Sequence, residues 1–323
     1  MQKVFIPERI APSGLEMLKA KFDCIIPWET GTAPDPSSPA LRDLLPEAEA
    51  IVVRLFSVGP EELDQAPNLK IIVKHGVGVD SIDCDAATAR SIPVAYTPGA
   101  IANGAAEHVV GLMLALSRLV APGDAAVRAG RWERSKFQGV ELAGKTLGVV
   151  GLGRIGSRVA EKASRGLEMK VIGFDPVMDP GTYSGPAELR GSFEEVLRES
   201  DYVTLHVPLT DKTRHFINTS TLDLMKPTCR LVNTSRGAVI DEADLVEALK
   251  SGRIAGAALD VYESEPPSSG HPLFTTPNTL LTPHVASSTV EGLDLMSRES
   301  AQAVIDGLAG RKPEHVVNPQ VLK

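Results

Sequence analysis

The residues best placed to do chemistry lie between Lys145 and Asp175. Gly151, Gly153 and Gly156 stand in the spacing G-x-G-x-x-G, and an acid, Asp175, follows the last of them by 19 residues. Each glycine has a physical use. Gly151 permits a tight turn out of a strand, Gly153 leaves room for a pyrophosphate to reach the backbone, and Gly156 lets a helix pack closely on a sheet. A helix beginning there offers free N–H groups and a partial positive charge to phosphate. An acid about 20 residues further on accepts hydrogen bonds from a ribose 2′-OH. Such a loop is a weak signal alone, so the elements around it decide its weight.

Those elements are present. Residues 146–150 form a short apolar run that reads as a buried strand. Ile155, Val159, Ala160 and Ala163 line one face of a helix. Residues 171–174 read as a second strand ending at Asp175, which completes the βαβ unit of a dinucleotide site. Further strands read at 4–6, 50–53, 69–73 and 94–95 before this unit, and at 202–205, 230–233, 254–259 and 279–281 after it. Strands alternating with helices predict an α/β fold of two Rossmann-like or flavodoxin-like parallel-sheet domains, with ligands beyond the carboxyl ends of the strands. Polar groups fall at those ends repeatedly: Arg54, the glycine loop with Gly76 and Gly78, His206, the run Thr234, Ser235 and Arg236, then Asp260 and His284. Arg54 is expected to contact the substrate or gate its entry, with Leu55 and Phe56 in a partly apolar pocket.

Residues 1–98 and 289–323 are expected to form a substrate domain, with the cofactor domain, 99–288, inserted between them. Ser13 is expected to cap a helix carrying Leu15, Leu18 and Phe22. Residues 30–39 read as an exposed loop, and 101–119 as one long buried helix crossing between domains. The stretch 131–137, charged with two aromatics, suits either a subunit contact or a plain surface loop. Residues 289–308 read as a final helix returning to the first domain.

Composition narrows the class. The chain has 323 residues, 43% hydrophobic and 23% charged, as an ordinary globular enzyme does. Its net charge of −8 argues against nonspecific nucleic-acid binding. The three cysteines, Cys24, Cys84 and Cys229, lack metal-site spacing, so no metal is expected and reduced thiols are. No signal peptide is read at the N-terminus, and the longest apolar stretch, 109–116, is too short to span a bilayer. A cytoplasmic protein is the expectation.

Taken together, His75-Gly-Val-Gly-Val-Asp80, the loop from Gly151 to Gly156, His206-Val-Pro-Leu209, Asn233-Thr-Ser-Arg236-Gly, Ala258-Leu-Asp260-Val, Glu263-Ser-Glu265-Pro-Pro267 and Pro283-His284 resemble the D-isomer-specific 2-hydroxyacid dehydrogenases. The pieces occur in that family's order and cover nearly the whole chain. Within it the chain looks most like 3-phosphoglycerate dehydrogenase and hydroxypyruvate or glyoxylate reductases. The resemblance implies a catalytic trio of Arg236, Glu265 and His284. It implies substrate-carboxylate binding at Val77 and Gly78, and cofactor contacts at Arg154, Ile155, His206, Val207, Pro208, Thr213, Thr234, Ser235 and Asp260. A homodimer is implied in the same way.

The trio's chemistry can be argued on its own. Reduction of a 2-keto acid needs a hydride, a proton and a cation for the carboxylate. A nicotinamide supplies the hydride, a histidine can give the proton, an adjacent glutamate favours the imidazolium and orients it, and an arginine offers a planar fork to the carboxylate. The expected partner is therefore a small anionic 2-hydroxy or 2-keto acid, such as 3-phosphoglycerate, hydroxypyruvate or glyoxylate. The expected cofactor is NAD rather than NADP, because Asp175 would repel a 2′-phosphate and no Lys or Arg occurs in 176–179 to neutralise one. The rival reading is an NAD(H)-sensing binding protein resembling the C-terminal-binding-protein corepressors, which turnover of keto acids would separate.

Overall fold

The computed structural model describes residues 1–29, 35 and 37–322. It divides into two compact units, Met1–Ile101 with Ser288–Lys323, and Ala102–Ser287. The first is built on β1 (Lys3–Phe5), β2 (Asp23–Ile25), β3 (Ala50–Val53), β4 (Ile71–Lys74) and β5 (Val94–Tyr96). Their order in the sheet is β2-β1-β3-β4-β5, and every pair is parallel. Alternate side chains serve opposite faces. Phe5, Ile51, Val53, Ile72 and Val94 enter one apolar cluster, whereas Val4, Ala50, Val52, Ile71, Val73 and Ala95 enter another. Both faces are covered, which is why these strands are almost unbroken apolar runs.

The second unit carries β6 (Thr146–Val150), β7 (Lys170–Phe174), β8 (Glu188–Leu189), β9 (Tyr202–Leu205), β10 (Arg230–Asn233), β11 (Gly256–Leu259) and β12 (Thr279–Leu281). The order is β12-β11-β10-β9-β6-β7-β8, again all parallel. This is the doubly wound arrangement in which the strand order reverses at the first strand, β6, so that a crevice opens at its carboxyl end. The glycine loop leaves β6 there.

Several local expectations change. The first helix, Pro12–Lys19, starts one residue before Ser13 because Pro12 takes the first helical position, where its missing N–H costs nothing. Ser13 caps nothing; its hydroxyl is buried without a partner, and Phe22 lies beyond the helix. The long helix is shorter than expected, Ala102–Ser117, and belongs wholly to the second unit. Ser117 ends it: its carbonyl accepts the Val140 N–H at 2.9 Å, and Leu119 takes a left-handed conformation before a second helix, Val120–Arg128, bent 62° from the first. Phe56 is 2% exposed and packs edge-on against Phe5 in the core, so it lines no pocket. Of the expected loop 30–39, residues 30–34 and 36 lie outside the described residues, and Pro39 opens a helical turn, Pro39–Arg42. The final helix is Val290–Leu308, capped by the Thr289 hydroxyl. No single helix among the described residues is long and apolar enough to cross a membrane.

Candidate active site

The glycine loop is shaped for a dinucleotide. Gly151 has φ +91°, and a Cβ there would lie 2.5 Å from the His206 carbonyl oxygen. Gly156 is tighter still, since a Cβ would fall 1.9 Å from the Gly151 oxygen. Gly153 is the opposite case. It is exposed, with open space where a Cβ would stand, and it begins the helix Arg154–Leu167 without any side-chain cap on the first N–H groups. Arg154 and Ile155 occupy that first turn. Asp175 is fixed above the loop: one carboxylate oxygen accepts the Leu152 N–H at 2.9 Å and the other the Val177 N–H at 3.0 Å. These groups fit a nucleotide pyrophosphate and ribose.

Neighbouring strand ends add to this edge. His206 and Val207 follow β9 directly beneath Gly151. Burial pushes the His206 imidazole down to about 4, so it is neutral, with Nε2 3.0 Å from the Thr204 hydroxyl. Thr213 closes the turn after Pro208 by donating to the Pro208 carbonyl at 2.6 Å. After β10, Asn233 knits the next loop together. Its Oδ1 accepts the Ser235 N–H and hydroxyl at 3.0 and 2.8 Å, and its Nδ2 donates to the Arg236 carbonyl at 2.8 Å. Thr234 presents a buried hydroxyl with no hydrogen-bond partner, a polar atom that a bound ligand would satisfy.

Arg236 is held by its Nη1 bond to the Ser235 carbonyl, 2.6 Å. Gly237 then packs against the backbone of Tyr262, where a Cβ would come within 1.8 Å of the carbonyl carbon. This close approach sets the Arg236 loop beside the segment carrying Glu265. Glu265 accepts the Tyr262 N–H at 3.0 Å through Oε1 and meets His284 Nδ1 at 2.5 Å through Oε2. A carboxylate has only acceptors, so Nδ1 carries the hydrogen and Nε2 is left for other work. Both side chains keep access to solvent, at 35% for Glu265 and 46% for His284.

Asp260 follows β11 and is closely held by the protein. Its side chain is 0% exposed and accepts the Thr282 hydroxyl at 2.5 Å, the Val285 N–H at 2.9 Å and the Ala286 N–H at 2.8 Å. Burial opposes its ionisation, but His108, Thr282 and the two N–H groups outweigh burial and hold the carboxyl below its ordinary range. The residues that sequence reasoning missed are His108, Asn233 and Tyr262, whose hydroxyl donates to the Thr282 carbonyl at 3.1 Å. Asn233 stood inside a recognisable motif without being given a role, and Tyr262 stood between two such motifs. The only signal for His108 was a titratable ring on a largely apolar helix.

The other expected residues lie in the first unit. Glu8, 9% exposed, gathers the loop after β3: its carboxylate accepts the N–H groups of Arg54 (2.7 Å), Leu55 (2.7 Å) and Phe56 (3.1 Å). The half-buried Arg54 side chain reaches the Arg9 carbonyl at 3.3 Å. After β4, Gly76 turns the chain with φ +146°, its N–H on the Thr97 hydroxyl at 3.0 Å. Val77 and Gly78 follow, Val77 being exposed. Among the described residues no cluster of three or more His, Cys, Asp or Glu could hold a metal ion.

Comparison with known proteins agrees with this architecture. Residues 110–286 match the family described as D-isomer specific 2-hydroxyacid dehydrogenase, NAD binding domain. The chain is 41% identical to the glyoxylate reductase of Thermococcus litoralis, covering 99% of this chain and 98% of that one. It is 40% identical to the D-3-phosphoglycerate dehydrogenase of Archaeoglobus fulgidus, covering 98% of this chain but only 59% of that longer one. Among solved structures, the NADPH-dependent glyoxylate/hydroxypyruvate reductase of Sinorhizobium meliloti, in complex with NADP and malonate, superposes with a TM-score of 0.85. It is 28% identical, with 99% of this chain and 98% of that one covered. The chain therefore belongs to the D-isomer-specific 2-hydroxyacid dehydrogenase family. It is an NAD(P)-dependent oxidoreductase acting on small 2-hydroxy or 2-keto acids.

Proposed function

We propose that this enzyme reduces a small 2-keto acid of the glyoxylate or hydroxypyruvate type with NADH, His284 giving the proton. The observation that carries this reading is the Glu265–His284 pair at 2.5 Å. Glu265 is itself anchored by the Tyr262 N–H, so the imidazole is oriented with Nε2 outward. When bound, the nicotinamide supplies a hydride to the keto carbon. Nε2 of His284 delivers the proton to the carbonyl oxygen, a step that general acid catalysis accelerates by about 10²–10⁴-fold. Arg236 takes the α-carboxylate with its guanidinium fork. Oxidation of the hydroxy acid runs the same steps backwards.

The dinucleotide is assigned to Gly151, Gly153, Arg154, Ile155, Gly156 and Asp175, together with the loops at 206–213 and 234–235 and Asp260. The fixed charge of Asp175 favours NAD over NADP. Substrate binding is also assigned to Arg54 and to Val77 and Gly78 of the first unit, on their places at strand ends. A homodimer is assigned to the apolar surface of Val120 and Val127, each 56% exposed, and Trp132, 77% exposed, since such surface marks contact sites. Three unpaired cysteines suit a reducing cytoplasm.

The test is steady-state reduction of glyoxylate, hydroxypyruvate, its phosphate and bulkier keto acids with NADH and with NADPH. Turnover of the small keto acids, higher with NADH, is expected. Equal or better efficiency with NADPH overturns the NAD assignment. No turnover with any keto acid leaves a dinucleotide-sensing protein instead.

A further inference from the structure

His284 sits on a turn that an L-residue does not adopt without help. Its φ is +52°, in the left-handed region that strains a non-glycine residue and persists only where the surroundings enforce it. Asp260 does the enforcing. Its carbonyl accepts the His284 N–H at 2.8 Å, and its carboxylate accepts the next two N–H groups, Val285 and Ala286. Three successive N–H groups thus wrap one aspartate, as such groups wrap an anion. With its side chain fully enclosed and both oxygens engaged, Asp260 holds the turn in place.

A buried carboxylate needs partners to stay ionised. Thr282 gives its single hydroxyl hydrogen to Asp260 at 2.5 Å, so toward any other group its oxygen only accepts. His108, from the helix Ala102–Ser117, places Nε2 3.2 Å from that oxygen and 3.4 Å from Asp260 Oδ1. Both neighbours being acceptors, Nε2 must carry a hydrogen. His108 is thus the one side-chain nitrogen among the described residues joined to this pair, and it comes from an element that supplies nothing to the catalytic trio.

We infer that His108 is a positioning residue for proton transfer: through Asp260 and Thr282 it holds the turn that carries His284. This rests on the reading of His284 as proton donor. Removing the Nε2–H leaves Asp260 short of a donor, loosens the Val285 and Ala286 bonds and lets His284 drift from its productive pose. A displacement of this kind costs up to about 10²-fold in rate, without touching the substrate carboxylate.

The experiment is a double-mutant cycle with an isosteric rescue. His108→Leu fills the space without a donor; His108→Gln restores one, because its Nε2 lies as many bonds from Cβ as that of histidine. Reduction of the best keto acid with NADH is measured for each, alone and with His284→Ala, and NADH Kd and thermal unfolding report folding. The expected result is a roughly 10–10²-fold lower kcat for His108→Leu, with KM and NADH Kd little changed. His108→Gln should recover most of the rate, and the His108→Leu loss should vanish in the His284→Ala background. An equal loss in both backgrounds, no loss at all, or no recovery with glutamine in a folded protein overturns the inference. Near-normal turnover of His284→Ala with His108 intact is a separate outcome: it sinks the proton-donor reading first, and this inference with it.

Discussion

At the scale of single residues, the decisive feature of Asp175 is that its charge is fixed. Leu152 and Val177 donate to its two oxygens at 2.9 and 3.0 Å, so the carboxylate cannot swing away from an incoming group. A 2′-phosphate would meet that charge with no cation in 176–179 to offset it. Hydrogen bonds to a charged group contribute about 1.5–3 kcal/mol, roughly 10–100-fold in affinity. Asp175→Ala is therefore expected to lower kcat/KM with NADH by about that factor while raising it with NADPH. Measuring both efficiencies decides the matter; an unchanged ratio would show that Asp175 does not select the cofactor. The same scale explains what the sequence concealed. Glycines and acid lie within one short run of chain, so spacing alone reveals them. The pairing of Glu265 with His284 was reached through resemblance, because no local pattern joins two residues 19 apart across a strand. The role of His108 was hidden, its partner Thr282 being 174 residues away.

Among elements, the helix Arg154–Leu167 and strand β6 meet through a glycine that tolerates nothing larger. A Cβ at position 156 would lie 1.9 Å from the Gly151 carbonyl oxygen and 3.2 Å from Val149. Gly156→Ala should push the helix N-terminus off the sheet and spoil the pyrophosphate cradle. Overpacking of this kind costs about 1–3 kcal/mol, and NADH binding should weaken at least tenfold, read by fluorescence titration alongside a lower Tm. An alanine variant binding NADH normally would mean that the cradle is not set by this contact. The strands themselves were legible, because sheets covered on both faces demand continuous apolar runs. The helix ends were less so. Pro12 displaced Ser13 as the start of its helix, and the break at Leu119 depends on a tertiary bond from Val140 to Ser117 that no local sequence signal announces. The short strand β8, only two residues, has no pattern to read.

For the whole molecule, stability should depend on acid in a direction set by buried imidazoles. His75 is 4% exposed with neither ring nitrogen hydrogen-bonded. Burial first, then the nearby Arg54 charge, lowers it to about 4. Its folded value lies below the ordinary 6.5, so between those two values the unfolded chain binds more protons than the folded one. Stability is then full above about pH 6.5, falls as the pH drops toward 4, and levels off below. The whole window is worth about 3 kcal/mol for this residue. His206, also lowered to about 4 by burial, acts in the same direction. Urea unfolding between pH 7 and 5 should show the decline, and His75→Met should make it shallower. An identical slope in the variant would remove His75 from the account.

The central claim is that His284 delivers the proton in reduction of a 2-keto acid. The most direct measurement is steady-state reduction of glyoxylate or hydroxypyruvate with NADH by the parent enzyme and by His284→Ala, with NADH Kd determined for both. A fall in kcat of about 10²–10⁴-fold at unchanged NADH affinity is the predicted result; a variant that turns over at near the parent rate would contradict the claim.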